Sequence, residues 1–142
     1  MSSIPYTAKD LESHNAVSFG IQNSEGKFLT FWHYKFSFRT IPLGKAEANQ
    51  TPEDAVQQEA WEELGIRVKT MRLLGEDHKV EIREGNTVHI HLYTFLVTAY
   101  DGEIQNMEPK KHSAIEWYTF EQLQALHPTS DGTKLFLYSL KR

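Results

Sequence analysis

The 142-residue sequence contains no cysteine, which excludes disulfide scaffolds, thiolate zinc sites and cysteine nucleophiles. It also lacks any apolar run close to the roughly 18 residues that a membrane span requires. The N-terminal residues 1–10 have neither the basic start nor the apolar stretch of a signal peptide. We therefore expect a cytoplasmic protein without a membrane partner.

An excess of basic residues is missing as well. Fifteen Lys and Arg stand against nineteen Asp and Glu, which gives a formal net charge of −4. Proteins that bind a nucleic-acid polymer through charge need a basic face, so we expect no such partner. A single nucleotide held through a metal ion stays compatible with this balance. The length is that of one domain, and we predict a single domain over residues 1–142.

Alternating apolar residues predict strands in the first third of the chain. Val17, Phe19 and Ile21 share one face of the first predicted strand, and residues 23–26 form a hairpin turn after it. A second strand runs from Lys27 and ends near Phe38. We expect residues 40–45 to form a loop and residues 1–14 to form a loose arm or an edge element.

The clearest predicted helix begins after Thr51 and ends at Gly65. Thr51 is a good N-cap, Pro52 suits the first helical position, and Gly65 suits a left-handed C-cap. Four-residue spacing assigns the core face of this helix to Val56, Ala60 and Leu64. We expect Trp61 to pack between the helix and a sheet.

The remaining chain alternates between strand and helix patterns. Strands are predicted over residues 71–82, 87–100 and 114–120, with a turn over residues 83–86 between the first two. A capping box at Thr119 predicts a short helix, and residues 131–141 predict a closing helix. Strands, helix, strands and helices in this order indicate an α+β (mixed α/β) fold.

Three glutamates of the predicted helix share one face. Glu59, Glu62 and Glu63 stand at positions i, i+3 and i+4, where like charges repel each other. No Lys or Arg lies between Lys45 and Arg67 to relieve this repulsion. Mg²⁺ or Mn²⁺ would relieve it, since both cations prefer carboxylate oxygens. The alternative is a solvated acidic helix face.

Residues 44–66 resemble the 23-residue signature of the Nudix hydrolases. Seven positions fall in register with that signature, namely Gly44, Glu59, Ala60, Glu62, Glu63, Gly65 and Ile66. The resemblance implies a Nudix fold, in which a mixed β-sheet lies between helices. It also implies that Glu59, Glu62 and Glu63, with the carbonyl of Gly44, bind Mg²⁺ or Mn²⁺.

Two positions depart from the signature. Gln50 stands where the family has its first Glu, and Gln58 stands where it has Arg. These two family residues pair with each other, so the loss of one alone would leave an unpaired charge. We interpret the two changes as a coupled neutral replacement, in which an amide–amide hydrogen bond takes the place of the ion pair.

The segment from Asn106 to Trp117 resembles the loop that follows the central sheet in MutT-like Nudix proteins. In that loop a Glu completes the metal site or acts as the general base, and Glu108 is the candidate here. The alternative is a surface carboxylate. The resemblance gives catalytic roles to Glu62, Glu63 and Glu108, and either Glu63 or Glu108 would accept the proton of the attacking water.

Four further residues are candidates for substrate contact. Arg39 and Lys45 could contact phosphate groups, Tyr34 belongs to an aromatic cluster that could stack on a base, and His91 could line the substrate cavity. His89 and His91 lie on the same face of one predicted strand. A zinc site there would need a third ligand that the sequence does not indicate.

The resemblance implies metal-dependent hydrolysis of a nucleoside diphosphate derivative as a small-molecule substrate. We expect a MutT-like (d)NTP pyrophosphatase that releases the nucleoside monophosphate, because the chain is short and has no added substrate domain. Hydrolysis of an NDP-sugar or of ADP-ribose is the alternative within the enzyme class. A nucleotide-sensing module without catalysis is the alternative outside it. The resemblance also allows a homodimer.

Overall fold

The computed structural model describes residues 4–141, which form two β-sheets and three α-helices. A short 3-10 helix, Lys9–Leu11, precedes the first strand. The elements follow in the order β1 His14–Ile21, β2 Phe28–His33, β3 Phe38–Thr40, β4 Leu43–Lys45, α1 Pro52–Leu64, β5 Arg67–Arg83, β6 Asn86–Asp101, β7 Glu116–Tyr118, α2 Phe120–Gln124 and α3 Asp131–Lys141.

The larger sheet has the strand order β4-β1-β6-β5, and the smaller one has the order β3-β2-β7. β1 and β6 run parallel, whereas the other pairs are antiparallel. Because side chains alternate along β1, Phe19 faces the core cluster that includes α1, while Ser18 donates a hydrogen bond to the Gly132 carbonyl of α3. The larger sheet therefore lies between helices, and the predicted α+β class is confirmed.

Helix α1 has the predicted limits. Thr51 accepts a hydrogen bond from the Asp54 backbone N–H, and the Asp54 side chain accepts one from the Thr51 N–H in return. Gly65 ends the helix with a φ of 70°, a left-handed conformation that costs glycine little. The predicted core face is fully buried, with Val56, Ala60 and Leu64 all inaccessible to solvent.

Several local predictions were wrong. The second predicted strand is broken by a turn in which Ser37 has a φ of 54°, and this turn separates β2 from β3. Residues 43–45 form strand β4, which pairs with β1, instead of a loop. The turn at residues 23–26 exists, but β1 and β2 meet only at the Gln22–Phe28 bridge.

Two predictions about burial were also wrong. Trp61 is 59% exposed, and its ring lies 5.9 Å from the Arg67 guanidinium instead of packing against a sheet. Over residues 4–13 the N-terminal segment is not a loose arm, since Asp10 in the 3-10 helix is buried. Residues 1–3 of that prediction lie outside the described residues. In the described part of the chain, no helix is long and apolar enough to cross a membrane.

Candidate functional site

A cleft of about 690 Å³ opens beside β4 and the carboxylate face of α1. The N-terminal segment and the turn between β2 and β3 form one part of its wall, here named the Asp10 end. Helix α1 and residues 108–112 form an adjoining part, here named the glutamate end, and the two parts meet where the Tyr34 N–H donates to the Lys111 carbonyl at 3.0 Å. Charged groups from both ends line it, among them Asp10, Lys35, Lys45, Glu59, Glu63 and Glu108.

Gly44 and Glu59 are in close contact at the α1 end. The pairing of β4 with β1 places the Gly44 backbone directly against the Glu59 side chain. A Cβ atom at position 44 would lie 2.2 Å from the Glu59 carboxylate carbon, which is closer than any side chain allows. Glycine at this position therefore lets the carboxylate of Glu59 lie against the β4 backbone.

Glu63 is the most buried of the three α1 glutamates. The residue is 2% exposed, and its Oε1 atom has no hydrogen-bond partner among the residues that the structure describes. Burial, followed by the hydrogen bond and negative charge of Glu59 and the charge of Glu108, raises the pKa of Glu63 well above its usual range. Burial also raises the pKa of Glu59, although its hydrogen bond with Glu63 opposes that shift.

This group of carboxylates fits a hard divalent cation by its chemistry. Carboxylate oxygens are preferred ligands of Mg²⁺ and Mn²⁺, and a buried oxygen without a partner is costly unless something binds it. Within residues 4–141, no group of three or more His, Asp or Glu side chains stands in an arrangement that holds a metal ion. Binding of a cation would therefore require the carboxylates to adopt other rotamers.

Glu62 lies on the solvent side of the same helix face and belongs to a chain of amides. The Gln58 Nε2 atom donates to Glu62 Oε2 at 3.1 Å, and the Gln50 amide donates to Gln58 Oε1. The amide–amide hydrogen bond expected from the two signature departures is therefore present. It holds Gln58 against Glu62, much as an arginine at position 58 would.

Residues 105–112 are attached to the C-terminal end of α1. The backbone N–H groups of Gln105 and Met107 donate to the carbonyls of Leu64 and Glu63 at 3.0 and 2.9 Å. Asn106 Oδ1 accepts a hydrogen bond from the Glu108 N–H at 3.2 Å. These bonds satisfy carbonyls at the end of the helix and place Glu108 beside the glutamates of α1.

Lys111 is paired with this group, and no role was predicted for it from the sequence. Its Nζ atom lies 3.1 Å from Glu108 Oε2. The hydrogen bond to Glu108 raises the pKa of Lys111, and Glu59 and Glu63 add to the shift. A single lysine thus offsets the charge of three neighbouring carboxylates in part.

Two histidines next to the carboxylates are neutral. His112 is buried and stacks on Phe31 with ring centroids 3.9 Å apart. Burial and the charge of Lys111 lower the pKa of His112 to about 4. Burial and the nearby His112 lower the pKa of His33 to about 4 as well. Neither imidazole therefore neutralises the glutamates at neutral pH.

The Asp10 end of the cleft contains Asp10 between two lysines. Asp10 is 2% exposed, and its carboxylate accepts hydrogen bonds from Lys35 at 2.7 Å and from Lys45. Burial opposes ionisation, but these two ammonium groups and the Thr7 N–H hold the pKa of Asp10 well below its usual range. Asp10 was missed in the sequence because a lone Asp before the first strand carries no motif.

The four predicted substrate residues divide into two pairs. Tyr34 and Lys45 line the cleft. Arg39 is not among its lining residues, because its guanidinium pairs with Glu116 at 2.8 Å and lies over the Tyr118 ring. His91 lies elsewhere on the larger sheet, 2.9 Å from Glu76. The cleft therefore gives no support to the contacts predicted for Arg39 and His91.

The zinc alternative for the histidines of β6 gains no support either. His78 on β5 lies beside them, with its Nε2 atom 3.4 Å from His89 Nδ1. These side chains line a separate hollow next to the segment that follows β4. In the part of the chain that the structure describes, they do not form a set of three ligands placed to hold a metal ion.

Comparison with known proteins supports the resemblance seen in the sequence. The family model of the NUDIX domain matches residues 12–138. The fold is similar to the solved structure of a MutT NUDIX hydrolase from Burkholderia pseudomallei. The similarity covers 91% of this chain and 98% of that one. The TM-score is 0.75 at 23% sequence identity, so this likeness shows the fold.

Two curated relatives have named activities. An 8-oxo-dGTP diphosphatase of Proteus vulgaris is 34% identical over 94 residues, which are 66% of this chain and 73% of that protein. The NAD-capped RNA hydrolase NudC of Photorhabdus laumondii is 26% identical over 96 residues, which are 68% of this chain. The matched region is only 35% of that relative, so the chain spans about a third of its length.

Proposed function

The chain belongs to the NUDIX family, and from this membership we propose that it is a divalent-metal-dependent hydrolase of nucleoside diphosphate derivatives. The reaction we propose is that of a MutT-like pyrophosphatase, which cleaves a (d)NTP into the nucleoside monophosphate and pyrophosphate. The observation that carries the proposal is Glu63, a buried carboxylate whose Oε1 atom lacks a partner among the described residues of the cleft.

Glu59, Glu62 and Glu63 would hold Mg²⁺ or Mn²⁺, with the Gly44 carbonyl as a further oxygen ligand. When bound, the cation supplies charge neutralisation for the pyrophosphate and acidifies water near neutral pH. The residues of the chain fix the position at which the cation would act. Gly44 leaves room for Glu59, α1 aligns the three glutamates, and the buried position of Glu63 excludes competing solvent.

We assign to Glu108 the role of the general base, which accepts the proton of the attacking water, with Glu63 as the alternative. Glu108 lines the cleft, and its side chain is 25% exposed, so a substrate and a water molecule can reach it. Asn106 and the end of α1 fix its backbone, whereas the three helix glutamates serve as metal ligands. Lys111, which pairs with Glu108, would be free to face the substrate once a cation balances the carboxylates.

Two relatives support different substrates within the same chemistry. The similarity to the Proteus vulgaris diphosphatase supports a nucleoside triphosphate, and it covers most of that protein. The similarity to NudC, a hydrolase of NAD-capped RNA, supports a substrate that carries an NAD group as the second candidate. An NDP-sugar or ADP-ribose would undergo the same cleavage.

A sensing module without catalysis would have no use for three adjacent carboxylates, whose mutual repulsion lowers stability. A cytoplasmic location and a homodimer both stay predictions.

The test is product release from a panel of nucleoside triphosphates, dinucleotides and NDP-sugars with Mg²⁺ or Mn²⁺. Products are identified by chromatography, and Glu63→Gln is run beside the wild type. We expect metal-dependent release of a nucleoside monophosphate that the variant does not show. Nucleotide binding without turnover across the whole panel would instead establish a sensing module.

A further inference from the structure

The segment of residues 4–13, here named the N-terminal arm, reaches into the cleft although most of it precedes the matched domain. The family model begins at residue 12, whereas Asp10 and several other residues of the arm line the cleft. The arm is fixed there by named contacts. Arg83 Nη1 donates to the Asp10 carbonyl at 2.8 Å, and Lys9 pairs with Glu47 at 3.0 Å.

The Asp10 carboxylate lies at a point where two ammonium groups meet. Lys35 comes from the turn between β2 and β3, and Lys45 comes from the end of β4. Their side chains are 28% and 38% exposed, so both ammonium groups can reach a ligand in the cleft. Two lysines from separate elements that share one anion form a binding site for an anionic oxygen group.

The location of this pair relative to the glutamates suggests which anion it binds. Lys45 directly follows Gly44, whose backbone touches Glu59. Lys45 therefore borders the proposed metal site, and both lysines line the same cleft. A nucleoside polyphosphate bound to a cation at the glutamates would bring another phosphate group toward the lysines. Phosphate carries more negative charge than a carboxylate and offers more acceptor oxygens.

We propose that Lys35 and Lys45 bind a phosphate group of the substrate, and that Asp10 of the N-terminal arm occupies their site when no nucleotide is bound. The class of ligand rests on the proposed function. The arm then lowers the apparent affinity for polyphosphates, because a ligand must displace an ion pair that already exists. Release of Asp10 also loosens the arm from the wall of the cleft.

The first experiment measures binding of inorganic tripolyphosphate by isothermal titration calorimetry with EDTA present. The Asp10→Asn variant removes the competing charge and keeps an acceptor for the Thr7 N–H. The matched control is Glu12→Gln, which makes the same change in net charge at an exposed position of the arm. We expect Asp10→Asn to bind tripolyphosphate about tenfold more tightly than the wild type, while Glu12→Gln binds with wild-type affinity.

A second substitution tests the lysines. Adding Lys45→Met to Asp10→Asn is expected to abolish the gain in affinity. Equal or weaker binding by a folded Asp10→Asn protein, or no binding by any variant, would overturn the proposal and make Asp10 a positioning residue for the lysines. Thermal melts establish that each variant is folded.

A measurement on the wild type keeps the proposal testable if Asp10→Asn does not fold. Hydrogen exchange of the amides of Thr7 and Asp10 is followed with and without saturating tripolyphosphate. We expect faster exchange in the N-terminal arm and unchanged exchange in α1. Unchanged or slower exchange in the arm at saturation would show that Asp10 is not displaced.

Failure of this proposal can be distinguished from failure of the proposed function, because the binding and exchange measurements need neither metal nor turnover. Tighter tripolyphosphate binding by Asp10→Asn without hydrolysis of any nucleotide would retain the anion site and reject the enzyme. For an active enzyme, Asp10→Asn is expected to lower the KM for the nucleotide and leave kcat within about twofold, as uniform binding changes do.

Discussion

At the Asp10 end of the cleft a single carboxylate lies between Lys35 and Lys45, whereas at the glutamate end three carboxylates, those of Glu59, Glu63 and Glu108, share Lys111. Asp10 and Glu63 are both buried, yet the pKa of Asp10 is held below its usual range and the pKa of Glu63 is raised far above it. Burial acts in the same direction at both ends, so the neighbouring charges decide the difference.

This difference shows which end is complete without a ligand. The Asp10 end has its countercharges within the chain, and breaking it would leave lysines without an anion. At the glutamate end Lys111 offsets the carboxylates only in part, and Glu63 Oε1 has no partner within residues 4–141. A cation would complete the second end, whereas a phosphate would have to compete at the first. The cleft is thus arranged for a substrate that carries both, a metal-bound polyphosphate.

The largest expected effect is on turnover at the glutamate end. Glu62→Gln or Glu63→Gln is expected to lower kcat at least roughly a hundredfold with Mg²⁺, because each removes a charged ligand from the metal site. The measurement is steady-state hydrolysis of the best substrate in the panel. Glu53→Gln in the exposed first turn of α1 is the matched control and should retain wild-type kcat. Near-normal activity of both site variants would refute the metal assignment.

Opposite changes in stability should follow from neutralising one carboxylate at each end. Without metal at pH 7, Asp10→Asn is expected to lose roughly 2–3 kcal/mol of unfolding free energy, because two lysines lose their partner. Glu63→Gln is expected to gain roughly 1–2 kcal/mol, because a buried charge without countercharge is removed. Urea denaturation with EDTA measures both values.

The pH dependence of these two effects also has opposite signs. A group whose pKa is lowered in the folded state stabilises the protein at pH values above its unfolded-state pKa. The contribution of Asp10 is therefore present at neutral pH and is lost as the pH falls through its folded-state pKa. A group whose pKa is raised in the folded state destabilises the protein once the pH exceeds its unfolded-state pKa. The gain in unfolding free energy from Glu63→Gln should therefore shrink as the pH falls toward about 4.5. Stability changes of the same sign in the two variants would contradict the charge comparison.

A metal ion should stabilise the folded protein by binding at the glutamate end and not at the Asp10 end. Mn²⁺ at roughly ten to thirty times its dissociation constant is expected to add about 1.4–2 kcal/mol of unfolding free energy. The gain should be larger at pH 8 than at pH 6, because the cation competes with protons for carboxylates of raised pKa. Thermal melts with and without Mn²⁺ measure it. Asp10→Asn should keep the gain and Glu63→Gln should lose it, so a response in both variants would place the metal elsewhere.

The smallest expected effect concerns the amides beside Glu62. Gln50→Glu and Gln58→Arg together restore the ion pair of the family signature, whereas each alone leaves an unpaired charge. We expect each single variant to be less active than the double, with a coupling of roughly 0.5–1 kcal/mol in a double-mutant cycle of kcat/KM. Additive effects would show that Gln50 and Gln58 do not act as a pair, despite their hydrogen bond.

The helix that carries the glutamates could be predicted because its signals are local. Caps at Thr51 and Gly65 define the helix, and helical spacing alone brings Glu59, Glu62 and Glu63 together. The signature resemblance added Gly44, which lies far from Glu59 in the sequence and touches it in the fold. Glu108 could be placed beside them only by the resemblance, because the hydrogen bonds that attach its loop to α1 come from backbone groups.

The Asp10 end could not be predicted, because its residues meet only through tertiary structure. Asp10, Lys35 and Lys45 come from three separate elements, and no spacing rule links them. The break at Ser37 has neither glycine nor proline, so the apolar pattern runs through the turn. β4 was missed because its three residues follow Pro42 and include Gly44, a composition typical of a loop. Its pairing with β1 holds these residues in a strand.

The attachment of residues 105–107 to the end of α1 has a mechanical consequence. The Glu63 backbone carbonyl accepts a hydrogen bond from Met107 while the Glu63 side chain faces the cleft. Any outward swing of this loop would therefore pull on the last turn of the helix and on Glu63 itself. We therefore expect the loop and the helix end to move together, whereas the N-terminal arm, which is held by the side chains of Arg83 and Glu47, can move without them.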